Sequence, residues 1–206
     1  MILIDAGNTR AHVWHEGRVE HLSLEEAIAR YHARSVAYIN VNPHHADLLS
    51  AIASWHDLSG TLHIGGEYDG MGIDRKALCL SHDEGIFVDA GSAITVDKVL
   101  GGVYQGGFVL PGFHAYRRMY AAISPVLDVE LASDIDLSKL PKTTQNSVSF
   151  GTMAPIVAAI NQLRGDLPLY ITGGDGEVLA RHFPDAVYDE ALVFRGMKNE
   201  KENKTE

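Results

Sequence analysis

One short pattern occurs twice in this chain and limits what the chain can fold into. Ile2-Leu3-Ile4-Asp5-Ala6-Gly7-Asn8-Thr9-Arg10 is matched by Ile86-Phe87-Val88-Asp89-Ala90-Gly91-Ser92-Ala93-Ile94, which continues as Thr95-Val96-Asp97. In each copy an apolar run ends in Asp-Ala-Gly and a small polar residue, and a second alternating run follows. The pattern predicts a strand, a tight glycine turn and another strand. A single turn of this kind has a purely local explanation, because Asp, Gly and Asn dominate turns. Two copies, each behind a buried-type strand, point to a duplicated architecture.

Such a turn also suits a phosphate. Gly7 or Gly91 lets a ligand approach the backbone with no Cβ in the way. The turn N–H groups, the Asn8 amide and the Thr9 hydroxyl can donate to phosphate oxygens as a backbone nest does. Asp5 repels phosphate, so its plausible role is to order Mg²⁺ or its waters, which bridge to a nucleotide.

The rest of the chain reads as strands and helices in two similar series. Ala11–His15 and Arg18–Leu22 alternate as half-buried strands, and Ser23-Leu24-Glu25-Glu26 is a capping box opening a helix through Ala27, Ile28 and Tyr31. Ser35–Val41 is a buried strand. Pro43 starts a helix expected to reach about Trp55 with Ala46, Leu48, Leu49 and Ile52 inward. Thr61–Ile64 is expected as a further strand, ended by Gly65-Gly66. The second series begins with three strands from Ile86 to Leu110 and the corner Leu110-Pro111-Gly112. A helix over Phe113–Ile123 follows, then an acidic, irregular excursion over Ser124–Gln145. A long helix over Ser147–Leu163 has Phe150, Met153, Ile156, Val157 and Ile160 inward. Pro168–Thr172 is a strand running into Gly173-Gly174-Asp175-Gly176, which either approaches an adenosine through bare backbone or simply turns the chain into a short helix.

This order predicts an α/β protein with helices packed on sheets. Its domains are expected at 1–84 and 85–195, with 196–206 a charged, disordered tail. At 206 residues both domains can hold a core.

Composition removes several function classes. A formal charge of −10 opposes general nucleic-acid binding. No apolar run approaches the ~18 residues of a membrane helix, and the start has no secretory pattern. Cys79, the single cysteine, excludes an intrachain disulfide and fits the cytoplasm. His12, His15, His44, His45 and His56 lack the partners and spacings of zinc motifs. Neither a P-loop nor a dinucleotide Gly-x-Gly-x-x-Gly fingerprint is present.

With both Asp-Ala-Gly turns, the Leu110-Pro111-Gly112 corner and the late Gly173-Gly174 turn in order, the chain resembles the actin-like and sugar-kinase superfamily. Within it, Gly72-Ile73-Asp74-Arg75 with Tyr68 upstream resembles the Gly-x-Asp-Arg substrate motif of type III pantothenate kinases. The resemblance spans nearly the whole chain. It implies two ribonuclease-H-like (actin-like ATPase) domains with the active site in the cleft between them, and a homodimer. The implied reaction is ATP-dependent phosphorylation of pantothenate at its 4′-hydroxyl, the first step of coenzyme A synthesis. By resemblance, Asp5, Ala6, Gly7, Asn8, Thr9, Arg10, Ala11 and His12 embrace the ATP phosphates, and Ser92 joins them. Tyr68, Gly72, Ile73, Asp74, Arg75 and Ser147 hold pantothenate, Asp74 takes the proton, and Asp89 helps bind a monovalent cation, K⁺ or NH₄⁺.

The residue chemistry agrees with these roles. Phosphoryl transfer is mostly positioning and charge neutralisation, so a carboxylate beside the acceptor hydroxyl need only orient it and accept its proton late. Arg75 offers a planar fork for the pantothenate carboxylate. Each residue also has a structural reading: Asp74 as a helix cap with Arg75 exposed, Ser147 as a helix N-cap, and Asp89 as a turn residue. Two other functions stay open at this level, a kinase of another small alcohol or sugar and a non-catalytic nucleotide-dependent regulator.

Overall fold

The computed structural model describes the backbone of residues 1–202 and the side chains of residues 1–199. Two compact units make up the chain. Unit 1 comprises Met1–Asp83, Leu100–Tyr104 and the segment that begins at Glu190, and unit 2 comprises Glu84–Val99 and Gln105–Asp189.

In unit 1, β1 (Ile2–Ala6), β2 (Ala11–His15) and β3 (Arg18–Leu22) form an antiparallel meander. Helix α1 (Leu24–Tyr31) follows behind the expected capping box, in which Ser23 and Glu26 satisfy each other's backbone N–H. Strand β4 (Val36–Asn40) then pairs parallel to β1, and β5 (Trp55–Asp57) pairs parallel to β4, giving the order β3-β2-β1-β4-β5. Between them lie a 3₁₀ turn at Pro43–His45 and the short α2 (Ala46–Ser50).

The expected helix to Trp55 and the expected strand at Thr61–Ile64 are therefore corrected. Leu49 is buried, but Leu48 is exposed and the helix stops at Ser50. Trp55 serves the sheet: it lies opposite Val36, and its indole N–H donates to the Tyr31 carbonyl at 3.2 Å. A buried indole needs such a partner, and meeting it ends the helix early and moves the fifth strand forward.

Unit 2 repeats the scheme. Strands β6 (Gly85–Ala90), β7 (Ala93–Leu100) and β8 (Val103–Pro111) form the meander, followed by α4 (Phe113–Ile123) and α5 (Thr144–Arg164). Strand β9 (Leu169–Thr172) pairs parallel to β6, and after α6 (Gly176–Ala180) β10 (Val187–Tyr188) pairs parallel to β9. The order β10-β9-β6-β7-β8 is that of unit 1 read from the other end. This shared order, a three-stranded meander followed by two parallel strands, is the ribonuclease-H-like arrangement, present twice. The core of unit 2 gathers Ile86, Val88, Ile94 and Val96 against Met153, Ile156 and Ile160 of α5.

Helix α3 (Ile73–Cys79) and helix α7 (Leu192–Glu202) pack against each other in unit 1, and α7 also meets β1. The tail expected from residue 196 is thus helical through Glu202, and the expected tail residues 203–206 lie outside the described residues. The charged residues that suggested disorder are good helix formers, while Phe194 and Met197 are fully buried. A Cβ at Gly196 would stand 1.7 Å from the Ala77 carbonyl oxygen, so the two helices meet backbone to backbone.

Gly196→Val is expected to lower stability by about 1–3 kcal/mol through overpacking, measured as a shift in the urea unfolding midpoint. An unchanged midpoint would show that α7 does not depend on this approach.

Candidate active site

The first Asp-Ala-Gly turn joins β1 to β2 and is closed by the Gly7 N–H, which donates to the Arg10 carbonyl at 3.0 Å. Ala6 and Ala11 are buried beneath it, whereas Asn8, Thr9 and Arg10 are exposed at its tip. Asp5 lies opposite His12 in the antiparallel ladder and beside Ile39 in the parallel one. The turn therefore stands at the carboxyl end of β1, next to Asn40 at the end of β4, the edge where open α/β sheets receive ligands.

His12 has a close neighbour across the β2–β3 ladder. Its Nδ1 lies 2.6 Å from Nδ1 of His21, and His21 Nε2 is 3.8 Å from Glu190. Burial, then the positive character of His21 and Arg10, holds the His12 pKa down at about 4, with Glu190 opposing. A ring that stays neutral here can share one proton with its partner without adding charge.

The second cluster of unit 1 surrounds α3. Gly72 is the residue before the helix, so Asp74 sits inside the first turn and is not the N-cap that the structural reading placed there. Its Oδ1 accepts the Arg75 N–H at 2.8 Å, which fixes the carboxylate on the helix start. Arg75 does not lie on an open face either. Its Nη1 donates to the Tyr68 hydroxyl at 2.7 Å and its Nη2 to the Tyr104 hydroxyl at 3.2 Å, with the guanidinium 5.9 Å from the Tyr68 ring centre. Beneath them Glu67 accepts from Lys76 (2.9 Å), the Ile64 N–H (2.9 Å) and His63 (3.2 Å). Burial alone would raise the Glu67 pKa, but these donors outweigh it and bring it to about 2. The loop carrying Tyr68 is thus tied at Glu67 to the helix carrying Asp74 and Arg75. Tyr68, Gly72, Ile73, Asp74 and Arg75 come together as the sequence predicted, and Tyr104, 29 residues from Arg75, joins them unforeseen.

In unit 2 the second turn is enclosed by glycine. The Asp175 N–H donates to the Ala90 carbonyl at 2.9 Å, and the Gly112 N–H donates to the Ser92 carbonyl at 3.2 Å. A Cβ at Gly112 would lie 2.2 Å from the Gly91 oxygen. Gly173 has φ of +92°, and a Cβ there would meet the Ala90 oxygen and Asp89 Oδ1, each at 2.4 Å. Gly173 thus makes a tight turn packed on the end of β6, while Gly174 beside it has open space where a side chain would be.

Asp89 lies opposite Thr95 on β7 and beside Thr172 on β9. The Thr95 hydroxyl oxygen is buried with no hydrogen-bond partner. A carboxylate with an orphaned hydroxyl across from it offers the hard oxygen donors that a monovalent cation prefers. No group of three or more His, Cys, Asp or Glu able to hold a metal occurs among the described residues. A divalent ion in a nucleotide site takes one or two carboxylates plus the substrate phosphates, and Asp5, half-buried at the end of β1, carries a carboxylate of that kind.

Ser147 is exposed in the first turn of α5 and is not its N-cap: Thr143 is, its hydroxyl accepting the Asn146 N–H at 3.3 Å. Ser147 opens, with Lys142, Thr144 and Tyr120, on a shallow depression of about 480 Å³. Elsewhere in unit 2 a cavity of about 260 Å³ is lined by Phe113, His114, Arg117, Thr152 and Asp175. Burial pushes the Asp175 carboxyl up, and His114 partly reverses this. Arg117 is held at its rim by Asp128 (2.9 Å) and Glu130.

Comparison with known proteins follows the same lines. Residues 59–165 match the family model for type III pantothenate kinase. The type III pantothenate kinase of Helicobacter hepaticus is 40% identical over 199 residues, covering 96% of this chain and 97% of the relative. A Campylobacter jejuni protein, whose crystal structure is described as that of a conserved Baf family transcriptional activator, superposes with TM-score 0.89 at 35% identity, all of each chain being covered. A Sinorhizobium meliloti protein assigned as a 2-dehydro-3-deoxygalactonokinase gives TM-score 0.60 at 10% identity, covering 98% of each chain, and shows the fold alone. With the repeated sheet order, these likenesses establish a duplicated actin-like ATPase fold.

His12 gives a pH prediction. Unfolded, it protonates near 6.5, and folded only near 4, so between these values the unfolded chain binds more protons. Its contribution to stability is complete above 6.5 and is lost as pH falls toward 4. His12→Gln should flatten the decline in urea midpoint over that window. A decline as steep as in wild type would mean that His12 is not the group responsible.

Proposed function

The chain belongs to the type III pantothenate kinase family, and from that premise we infer that it transfers the γ-phosphoryl group of ATP to the 4′-hydroxyl of pantothenate, giving 4′-phosphopantothenate and ADP. The single observation that carries this reading is the assembly of Tyr68, Asp74 and Arg75 at the start of α3, with Arg75 held by two tyrosine hydroxyls. It presents a carboxylate for an alcohol and a fixed guanidinium for a carboxylate on one short stretch. A neutral sugar would leave that guanidinium without its match.

In the reaction the 4′-oxygen forms a bond to the γ-phosphorus while the bond from that phosphorus to the β–γ bridging oxygen breaks. ADP departs with the bond's electrons. Asp74 orients the hydroxyl and receives its proton late, when the new bond is largely formed. The backbone of Asp5–His12 receives the phosphates through N–H donors. Asp5 would hold Mg²⁺, which would neutralise phosphate charge, and Asp89, with Thr95 opposite it, would hold the monovalent cation.

The working form is a homodimer in the cytoplasm, the compartment that holds ATP. An apolar surface open for a partner is offered by Ile123 at 73% exposure, Val126 at 71% and Met119 at 54%, all on or next to α4. The description of the Campylobacter jejuni structure favours a second reading, a regulator that keeps the fold. The acidic charge of −10 argues against direct contact with nucleic acid.

Purified protein is expected to convert pantothenate and ATP to 4′-phosphopantothenate, with Asp74→Asn reducing kcat by about 10²–10⁴-fold. A folded protein without turnover, or an Asp74→Asn variant of undiminished rate, would return the assignment to a different acceptor or to the regulator. Replacing K⁺ by Na⁺ should cut the rate at least about tenfold, the effect of some 1.4 kcal/mol. Thr95→Val should raise the K⁺ concentration for half-activation. Equal rates in the two salts would remove the cation from Asp89.

A further inference from the structure

Two tyrosine hydroxyls hold Arg75, and one of them comes from outside its own loop and helix. Tyr68 comes from the segment just before α3 and is 47% exposed. Tyr104 is different. It is 6% exposed, at the start of β8, and its backbone N–H donates to the Gly65 carbonyl at 2.7 Å, next to a parallel bridge between Gly65 and Val103. Its ring lies 6.2 Å from that of Tyr68, tilted by 42°. One hydroxyl thus belongs to an exposed loop tyrosine and the other to a buried strand tyrosine, and both accept from the same guanidinium.

A long arginine side chain loses rotamer entropy when it binds an anion unless it has been fixed beforehand. The hydroxyl of a buried tyrosine at 3.2 Å from Nη2 contributes to that fixing in the free protein. We propose that Tyr104 is a positioning residue for substrate selection: its hydroxyl sets the plane of the Arg75 guanidinium, so that the site accepts acceptor alcohols that end in a carboxylate and discriminates against their uncharged counterparts. This rests on the reading of Arg75 as the carboxylate contact. Tyr104 touches neither the acceptor hydroxyl nor the phosphates in this scheme, so its removal acts on KM and spares kcat.

The test uses the full-length protein with two acceptors, pantothenate and pantothenol, the primary alcohol that replaces the carboxylate. Tyr104→Phe deletes one oxygen and keeps the buried ring. It should raise KM for pantothenate about fivefold, the size of one lost hydrogen bond, change KM for pantothenol less than about twofold, and leave kcat within about twofold. Arg75→Ala is the control and should raise KM for pantothenate more than about tenfold. If Arg75→Ala leaves that KM unchanged, the carboxylate contact is wrong and the proposal falls with it. If Arg75→Ala acts as expected but Tyr104→Phe does not, the contact stands and the role of Tyr104 is overturned. A Tyr104→Phe effect equal for both acceptors, or confined to kcat, would also overturn it, since a merely structural tyrosine does not distinguish a carboxylate from an alcohol.

Discussion

The structure depends on bringing backbone next to backbone where side chains would forbid it. Around the second Asp-Ala-Gly turn, Gly112 and Gly173 come so near the Gly91 and Ala90 carbonyls that a methyl group at either would overlap them. The β8–α4 corner and the β9–α6 turn can therefore close on the end of β6, and their N–H groups satisfy carbonyls that would otherwise be stranded. Asp89 is held at the centre of this enclosure with Thr95 and Thr172 beside it. Its placement thus follows from main-chain packing, which is stiffer than a side chain held only by rotamer preference.

The first turn solves the same problem with less support. Among the described residues nothing comparable encloses Asn8, Thr9 and Arg10, which are exposed, and the turn is closed by its own Gly7 to Arg10 hydrogen bond. The duplication preserves strand order and not surroundings. That difference suits separate tasks. An open loop of N–H groups can receive a large polyanion, whereas an enclosed carboxylate with a buried hydroxyl opposite suits a small cation.

Much of the fold was legible because it is written in short-range pattern. The two meanders, the capping box at Ser23 and the extent of α4 follow from alternation, turn residues and helical spacing, all of which act within a few residues. Tertiary demand decided the rest. Trp55 fits the helical spacing of Leu49 and Ile52, but its indole partner is the Tyr31 carbonyl, 24 residues away. Helix α7 looks like a charged tail until Gly196, Phe194 and Met197 find α3 and β1. At the candidate site, Gly72–Arg75 could be recognised from adjacent letters. Tyr104 could not, because it meets Arg75 from 29 residues away; His21 could have been, since the two-residue turn at Glu16-Gly17 sets it opposite His12.

An acidic protein that takes two anionic substrates must supply attraction locally. At physiological ionic strength the Debye length is about 8 Å, so the net charge of −10 acts weakly on a ligand once it is seated among near donors. Two such sources are at hand. Backbone N–H groups at the first turn carry partial positive charge without adding a titratable cation. Arg75 carries a full charge held by tyrosine hydroxyls. Lys76 is meanwhile paired with Glu67, whose carboxyl its donors bring to a pKa of about 2. That pair ties the Tyr68 loop to α3 and occupies the lysine. A planar fork in a set orientation discriminates by shape as well as charge, which a mobile ammonium in the same place does less well.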